Sequence, residues 1–361
     1  MKCAFLNNGL MVRPDGRVGP CCLWKAQDDQ PTLDENWQEY IEEKRKAFEK
    51  GWIPECIECQ ISEERGQESD RDRSFKKIWN HDTPTPYSHN KKTFWDLKLH
   101  NTCNLICRMC STADSSSWIK IVKENPKESW NEWQLGDTLT NNRKYGWRNK
   151  INNLLKLLPE VETLKFTGGE PFMIPQVKQI LNEAVKKKLA KNIDVRITSN
   201  GTFPLTNEWK DIFGEFKSAN FSFSVNGIKS RYEYIRQNAV WEETLENVLE
   251  FNKHYQILIA EMSMMLNFDM KKEITDFWHS QDILDVTWSN LFDPAYQSLN
   301  ALPTYLRKKH KWPDYYKFDE SLFNEFLQQA EIHDRMTGKD IRKEIPELFV
   351  KDLGPFLRKG S

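Results

Sequence analysis

The stretch "HNTCNLICRMC", residues 100–110, sets cysteines at positions 103, 107 and 110. Thiolates this closely spaced suit a soft transition metal or an iron-sulfur cluster. Zinc wants four donors, and His100 could complete such a set with Cys103, Cys107 and Cys110. A cubane cluster held by three thiolates would instead keep one iron open to a substrate or cofactor. A second group, Cys3, Cys21, Cys56 and Cys59, offers four thiols, enough to close a tetrahedral or cubane site. Cys22 is left over and is expected to act as an ordinary small apolar residue.

These side chains need a scaffold, and the chain after residue 92 supplies the pattern of one. Strand-like runs stand at 94–100, 163–167, 194–199, 220–225, 256–266 and 285–291. Helical patterns such as "IPQVKQILNEAVKKKL" and "VWEETLENVLEFNKHY" lie between several of them. Strands separated by helix-length segments predict parallel βαβ units, in a doubly wound sheet or an incomplete barrel. The cysteine triplet begins where the first of these strands ends, at the edge that carries chemistry in a barrel. The stretch 111–150 is too long for a simple connection and is expected to hold a helix. Residues 64–92, polar and ending in Pro and Ser, read as a connector. After 300, "SLFNEFLQQAEIHDRM" repeats apolar residues at helical spacing, with Asp319 or Ser321 as its cap.

Composition narrows the class. Of 361 residues, 39% are hydrophobic and 29% charged, with 14 Trp to enlarge the core. A net charge of -1 gives no global field for nucleic acid or an anionic membrane. No apolar run reaches membrane-spanning length, and "MKCAFLNNGL" does not read as a secretion signal. The expectation is a cytoplasmic protein, where eight cysteines serve as metal ligands more readily than as disulfides.

The same residues resemble a known family. "CNLICRMC" matches the CxxxCxxC signature of radical S-adenosylmethionine (SAM) enzymes, and further pieces follow in that family's order. "FTGGEPF" resembles its GGEP loop, with Gly168, Gly169, Glu170 and Pro171. "TSNGT" resembles its TNGT segment, with Ser199 and Asn200 near SAM. "FSVNG" stands where relatives read S-[IVL]-D-G, so Asn226 replaces an acid. Ser224 and Arg236 are by resemblance the candidates to hold the SAM carboxylate, a task suited to a guanidinium fork. Cys3, Gly16, Cys21, Cys56 and Cys59 resemble the twitch and SPASM domains that hold auxiliary iron-sulfur clusters, here placed ahead of the barrel instead of after it.

The resemblance implies a partial (β/α)6 TIM-like barrel at 89–298, a small cysteine-rich twitch-like domain at 1–88 and a helical C-terminal extension at 299–361. It implies as cofactors SAM, a 4Fe-4S cluster on Cys103, Cys107 and Cys110, and an auxiliary 4Fe-4S cluster on the other four cysteines. The implied reaction is reductive cleavage of SAM and hydrogen abstraction from a substrate, fed by a flavodoxin- or ferredoxin-type electron donor. The expected substrate is a peptide or protein side chain, with a small molecule such as a sugar alcohol as the alternative. From another class stands a zinc-binding interaction module, against which the near-neutral charge and the GGEP loop both count. Four strand candidates run out at Asn200, Asn226, Asn267 and Asn290. Asn267 and Asn290 are the substrate candidates among them, against the plainer expectation that Asn ends strands well.

Overall fold

The runs rich in β-branched and aromatic residues do form strands. A computed structural model describes residues 1–25, 27, 29–66, 68–79, 91–140 and 151–349. Its strands are β1 (Gly9–Val12), β2 (Val18–Gly19), β3 (Phe94–Leu97), β4 (Ile106–Cys107), β5 (Thr163–Phe166), β6 (Asp194–Ser199), β7 (Ser218–Ser224), β8 (Arg236–Gln237), β9 (Gln256–Ser263) and β10 (Val286–Asn290). Eight of them make one mostly parallel sheet in the order β10-β9-β7-β6-β5-β3-β1-β2, and β4 and β8 form a separate antiparallel ribbon. This is the α/β arrangement expected of a radical SAM partial barrel. By contact density the chain divides into two compact units. The first comprises Met1–Thr102, Asn141–Ser199 and Leu205–Phe221, the second Cys103–Thr140, Asn200–Pro204 and Ser222–Ser361.

In the first unit the register sets Asp96 beside Lys165 and Lys165 beside Arg196. Side chains alternate across a strand, so one face carries Trp95, Leu97, Leu164, Phe166, Val195 and Ile197, all buried. The opposite face is polar, with the Lys165 ammonium 2.6 Å from Asp96 and the Thr167 hydroxyl donating to the same carboxylate at 3.2 Å. The helix Pro175–Lys186 opens on proline and buries Val177, Ile180, Leu181 and Ala184 along one stripe. Each fully buried aliphatic side chain of this kind contributes roughly 1.5–3 kcal/mol.

Two elements here differ from expectation. β1 pairs in parallel with β3 and carries β2 as a hairpin, so the N-terminal segment widens the sheet beyond six strands. "RPDGR" makes its turn, the Arg13 N–H donating to Arg17 O at 2.9 Å and the Gly16 N–H to Arg13 O at 2.8 Å. The expected connector holds a helix, Asp70–Trp79, because Ser69 and Asp72 cap it reciprocally. Residues 80–90 of that connector lie outside the described residues.

In the second unit β9 and β10 pair in parallel over five residues. The helix Trp241–Asn252 packs Phe251 edge-on to Phe223 of β7 with centroids 5.2 Å apart. The stretch after the cysteine triplet holds the helices Ser116–Glu124 and Glu132–Thr140, and positions 141–150 lie outside the described residues. In the C-terminal extension the helix Glu320–Thr337 is capped by Asp319, which accepts from the Ser321 and Leu322 N–H groups at 2.9 and 3.3 Å. Such a cap contributes about 1 kcal/mol. The final residues, 350–361, lie outside the described residues. No helix among the described residues is long and apolar enough to cross a membrane.

Candidate functional site

In the second unit the cysteine loop is held by neighbours distant in sequence. Cys107 pairs with Arg236 in the β4–β8 ribbon, and the Trp118 indole N–H donates to Cys107 O at 2.9 Å. Ser117 Oγ donates to Cys103 O at 2.8 Å and Ser115 Oγ to Leu105 O at 2.6 Å, so the "SSSW" run wraps the loop's backbone. Arg108 stacks on Tyr234 at 3.7 Å and pairs with Asp334 at 2.6 Å, fastening the loop to the helix Glu320–Thr337. Sequence reasoning overlooked these supports. Three serines directly after the motif were the available signal, since serine caps helices and binds backbone readily.

Donors converge on the sulfurs. Arg236 sends Nη1 to Cys107 Sγ at 3.6 Å, Nε to Val225 O at 2.9 Å and Nη2 to Asn226 Oδ1. The Cys110 thiol and then the Arg236 charge hold Cys107 down to about 7, while the shared hydrogen bond and burial push Cys110 well up. Asn200 sends Nδ2 to Asn104 Oδ1 at 2.9 Å and toward Cys103 Sγ at 3.8 Å, and its Oδ1 accepts from the Thr202 N–H and hydroxyl. Asn200 and Arg236 are thus brought to the cysteine sulfurs of the same unit. Arg236 itself bonds Cys107 and the end of β7, contacts that the sequence did not suggest. Ser224 lies half-buried at the end of β7.

In the first unit Gly168 and Gly169 both take the left-handed backbone, φ 73° and 49°. Gly169 lies against the backbone of residues 100–102, and the Glu170 N–H donates to Thr102 O at 2.7 Å. Glu170 is buried, and its Oε1 accepts from Ser199 Oγ at 3.0 Å and the Phe172 N–H at 3.2 Å. Pro171 is buried at the start of the following turn. The His100 ring Nδ1 accepts from the Thr102 N–H at 2.9 Å.

The same unit gathers the other thiols. Cys3, Cys21, Cys56 and Cys59 line one cavity together with Trp24, Trp52 and Arg71. Burial pushes all four thiols up, Cys59 to about 11. Near neutral pH, thiols held this way stay protonated unless a cationic group takes them as ligands. Cys22 is exposed, a correction to its expected role as a small apolar residue, because its side chain does not join the packing around Trp24. All eight cysteines are unbridged. Among the described residues no group of three or more His, Cys, Asp or Glu side chains is gathered as a single metal ion requires.

The asparagines divide. Asn267 is fully buried and spends its amide on backbone, accepting from the Met264 N–H at 3.0 Å and donating to Met262 O at 2.8 Å and Asn226 O at 3.1 Å. This is the turn role set against the substrate role above. Asn267→Ala is expected to lower stability by about 2–4 kcal/mol, because one N–H and two carbonyls lose their partner. Denaturant unfolding measures it. A stable Asn267→Ala protein that cleaves SAM yet makes no product would restore the substrate role. Asn290 lies half-buried beside Ser263 at the end of β10.

The sequence profile of the radical SAM superfamily matches residues 97–277, half of the chain. The chain belongs to the radical SAM superfamily. No curated protein sequence matches it. Among solved structures it is similar to native anSMEcpe with bound AdoMet and Kp18Cys peptide, at 16% identity and TM-score 0.42 over 68% of this chain. It is also similar to Streptococcus suis SuiB bound to precursor peptide SuiA, at 12% identity and TM-score 0.37, over 95% of this chain and 74% of that one. The chain spans 61% of the anSMEcpe chain.

Proposed function

We propose that this radical SAM protein reductively cleaves SAM and abstracts a hydrogen atom from a peptide or protein side chain. The observation that carries the proposal is the convergence of Asn200 and Arg236 on Cys103 and Cys107. The donor set fits a 4Fe-4S cluster on Cys103, Cys107 and Cys110. N–H groups aimed at sulfur stabilise thiolate charge, and the loop is braced along its length. When bound, that cluster supplies the electron that converts SAM to methionine and a 5'-deoxyadenosyl radical.

The chain's own residues then bind and orient. In the second unit we assign Asn200 and Ser224 to SAM, and Arg236 to both SAM and Cys107. In the first unit we assign Gly168, Gly169, Glu170, Pro171 and Ser199 to SAM. The glycines let backbone approach the ligand closely. Glu170, oriented by Ser199 and the Phe172 N–H, presents a carboxylate to an ammonium group. Asn290 is the substrate candidate we retain.

We assign Cys3, Cys21, Cys56 and Cys59 to an auxiliary 4Fe-4S cluster that assists electron transfer, the region 1–88 acting as a twitch-like module. The four thiols line one cavity together, which supports a shared metal group there. The peptide assignment follows from this second set, because relatives with auxiliary-cluster domains most often modify peptides. A flavodoxin- or ferredoxin-type protein in the cytoplasm is the proposed electron donor.

Anaerobic reconstitution tests the proposal. The expected result is about eight irons per chain and 5'-deoxyadenosine formed only with reductant. Bound zinc with no SAM cleavage would sink it.

A further inference from the structure

The stretch between the two cysteine groups reads as a connector in sequence, yet its helix Asp70–Trp79 reaches back to the segment of the first thiol. Both neighbours of Cys3 are bound by it. The Ala4 N–H donates to Ser74 Oγ at 3.1 Å, and Arg71 Nη1 donates to Lys2 O at 3.2 Å. Ser74 Oγ donates in turn to Arg71 O at 2.5 Å, so one helical turn holds the backbone on either side of Cys3.

Arg71 also holds the helix that carries Cys59. Its Nε and Nη2 donate to the two carboxylate oxygens of Glu63 at 2.8 and 2.7 Å, and Glu63 follows Cys59 on the helix Ile57–Glu64. Such a two-pronged pair fixes direction as well as charge. Asp72 lies 2.8 Å from the same guanidinium, and the group sits over the Trp52 ring, 5.8 Å from its centroid. Arg71 and Trp52 line the cavity together with Cys3, Cys21, Cys56 and Cys59. The other charged side chains of that lining, Glu55 and Asp70, are acidic, which makes Arg71 its one cation among the described residues.

We propose that Arg71 is a positioning residue for the auxiliary cluster: its fork ties the backbone before Cys3 to the Cys59 helix, and its charge stabilises the cluster's reduced form. A lysine would supply the charge without a fork able to reach Lys2 O and Glu63 together. Four thiolates give a 4Fe-4S group net negative charge, one-electron reduction adds to it, and nearby charge is a lever on its potential. Without Arg71, Glu63 and Asp72 would stand uncompensated beside the cavity and disfavour reduction further. The inference rests on Cys3, Cys21, Cys56 and Cys59 being auxiliary-cluster ligands, as proposed above.

The test compares reconstituted parent, Arg71→Met and Arg71→Lys proteins by iron release to a chelator and by an EPR-monitored redox titration, with dithionite supplying the electron. The auxiliary cluster is the one whose signal SAM leaves unchanged. Arg71→Met is expected to lower its midpoint by about 59 mV, a tenfold shift in the one-electron equilibrium, and to release its iron about 10- to 100-fold more readily. Arg71→Lys is expected to keep the midpoint and to share the faster iron release. The SAM-responsive signal stays as in the parent in both. If neither Arg71 variant folds, Glu63→Gln carries the test: loss of the paired acid is expected to raise the midpoint by a similar amount. A parent-like midpoint and iron release in Arg71→Met, or an unmoved midpoint in Glu63→Gln, overturns the inference alone, because a merely structural arginine would leave the potential in place. A parent whose only cluster responds to SAM overturns the auxiliary-cluster reading and the inference with it.

Discussion

Cys107→Ala is expected to abolish 5'-deoxyadenosine formation while leaving the protein folded with about four of about eight irons. Cys59→Ala is expected to remove a similar amount of iron and to leave SAM cleavage in place. The asymmetry follows from where each thiol stands. Cys107 is buried between the Trp118 indole, which holds its carbonyl, and the Arg236 guanidinium, which faces its sulfur. Its backbone stays pinned when the sulfur is gone, because the β4–β8 pairing and the Trp118 bond are both to main chain. Cys59 belongs to the cavity of the first unit, with Cys3, Cys21 and Cys56. Iron and acid-labile sulfide measured beside 5'-deoxyadenosine separate the two sites. Loss of SAM cleavage in both variants, with the remaining iron retained, would show that the two thiol sets do not act separately.

Much of the scaffold was legible because its signals are local. "DVRITS" alternates cleanly and is β6 end to end. "TLKFT" and "NFSFSV" were found because β-branched and aromatic residues suit a half-buried pleated surface. β1 escaped, since "GLMV" is four buried residues without alternation, although the "PDG" beside it marks the turn. The helix Asp70–Trp79 escaped because charge was taken as the mark of a connector, while its signal, Ser69 three residues before Asp72, went unused.

The site was legible in its ligands and not in their supports. Thiol spacing is a local pattern and sets the candidate donors at once. Arg108 meets Asp334 across 226 residues of chain, and no periodicity carries that pairing. Arg236 was expected to face a ligand, and what its sequence position did not carry is that it also bonds Cys107, Val225 and Asn226. A buried guanidinium is costly unless satisfied, so burial decided its engagement, and burial is a property of the fold. Asn267 shows the same effect: an amide after a strand suits a substrate or a turn equally well in sequence, and the position of the Met264 N–H decides for the turn.

The two glycines of "TGGE" should respond very differently to the same substitution. Both have positive φ, so a Cβ costs each about 1–2 kcal/mol. At Gly168 the new Cβ would meet the Lys98 side chain, its γ carbon 1.9 Å away, and a side chain, unlike backbone, can change rotamer to yield. At Gly169 it would meet backbone: Thr102 O at 2.3 Å, Asn101 C at 2.9 Å and His100 O at 2.9 Å. No rotamer relieves that overlap. The peptide segment 100–102 would have to move, breaking the Glu170 N–H bond to Thr102 O. Gly169→Ala is therefore expected to cost more than about 4 kcal/mol, in the range reserved for strained or overpacked sites, against about 1–2 kcal/mol for Gly168→Ala. Thr102 immediately precedes Cys103 in the chain, so any Gly169→Ala protein that folds should also lose affinity for SAM. Denaturant unfolding of the two variants, with SAM binding measured on whichever folds, checks both statements. Equal costs at the two positions would mean that segment 100–102 yields freely, and the tight backbone contact would then have no part in shaping the segment before Cys103.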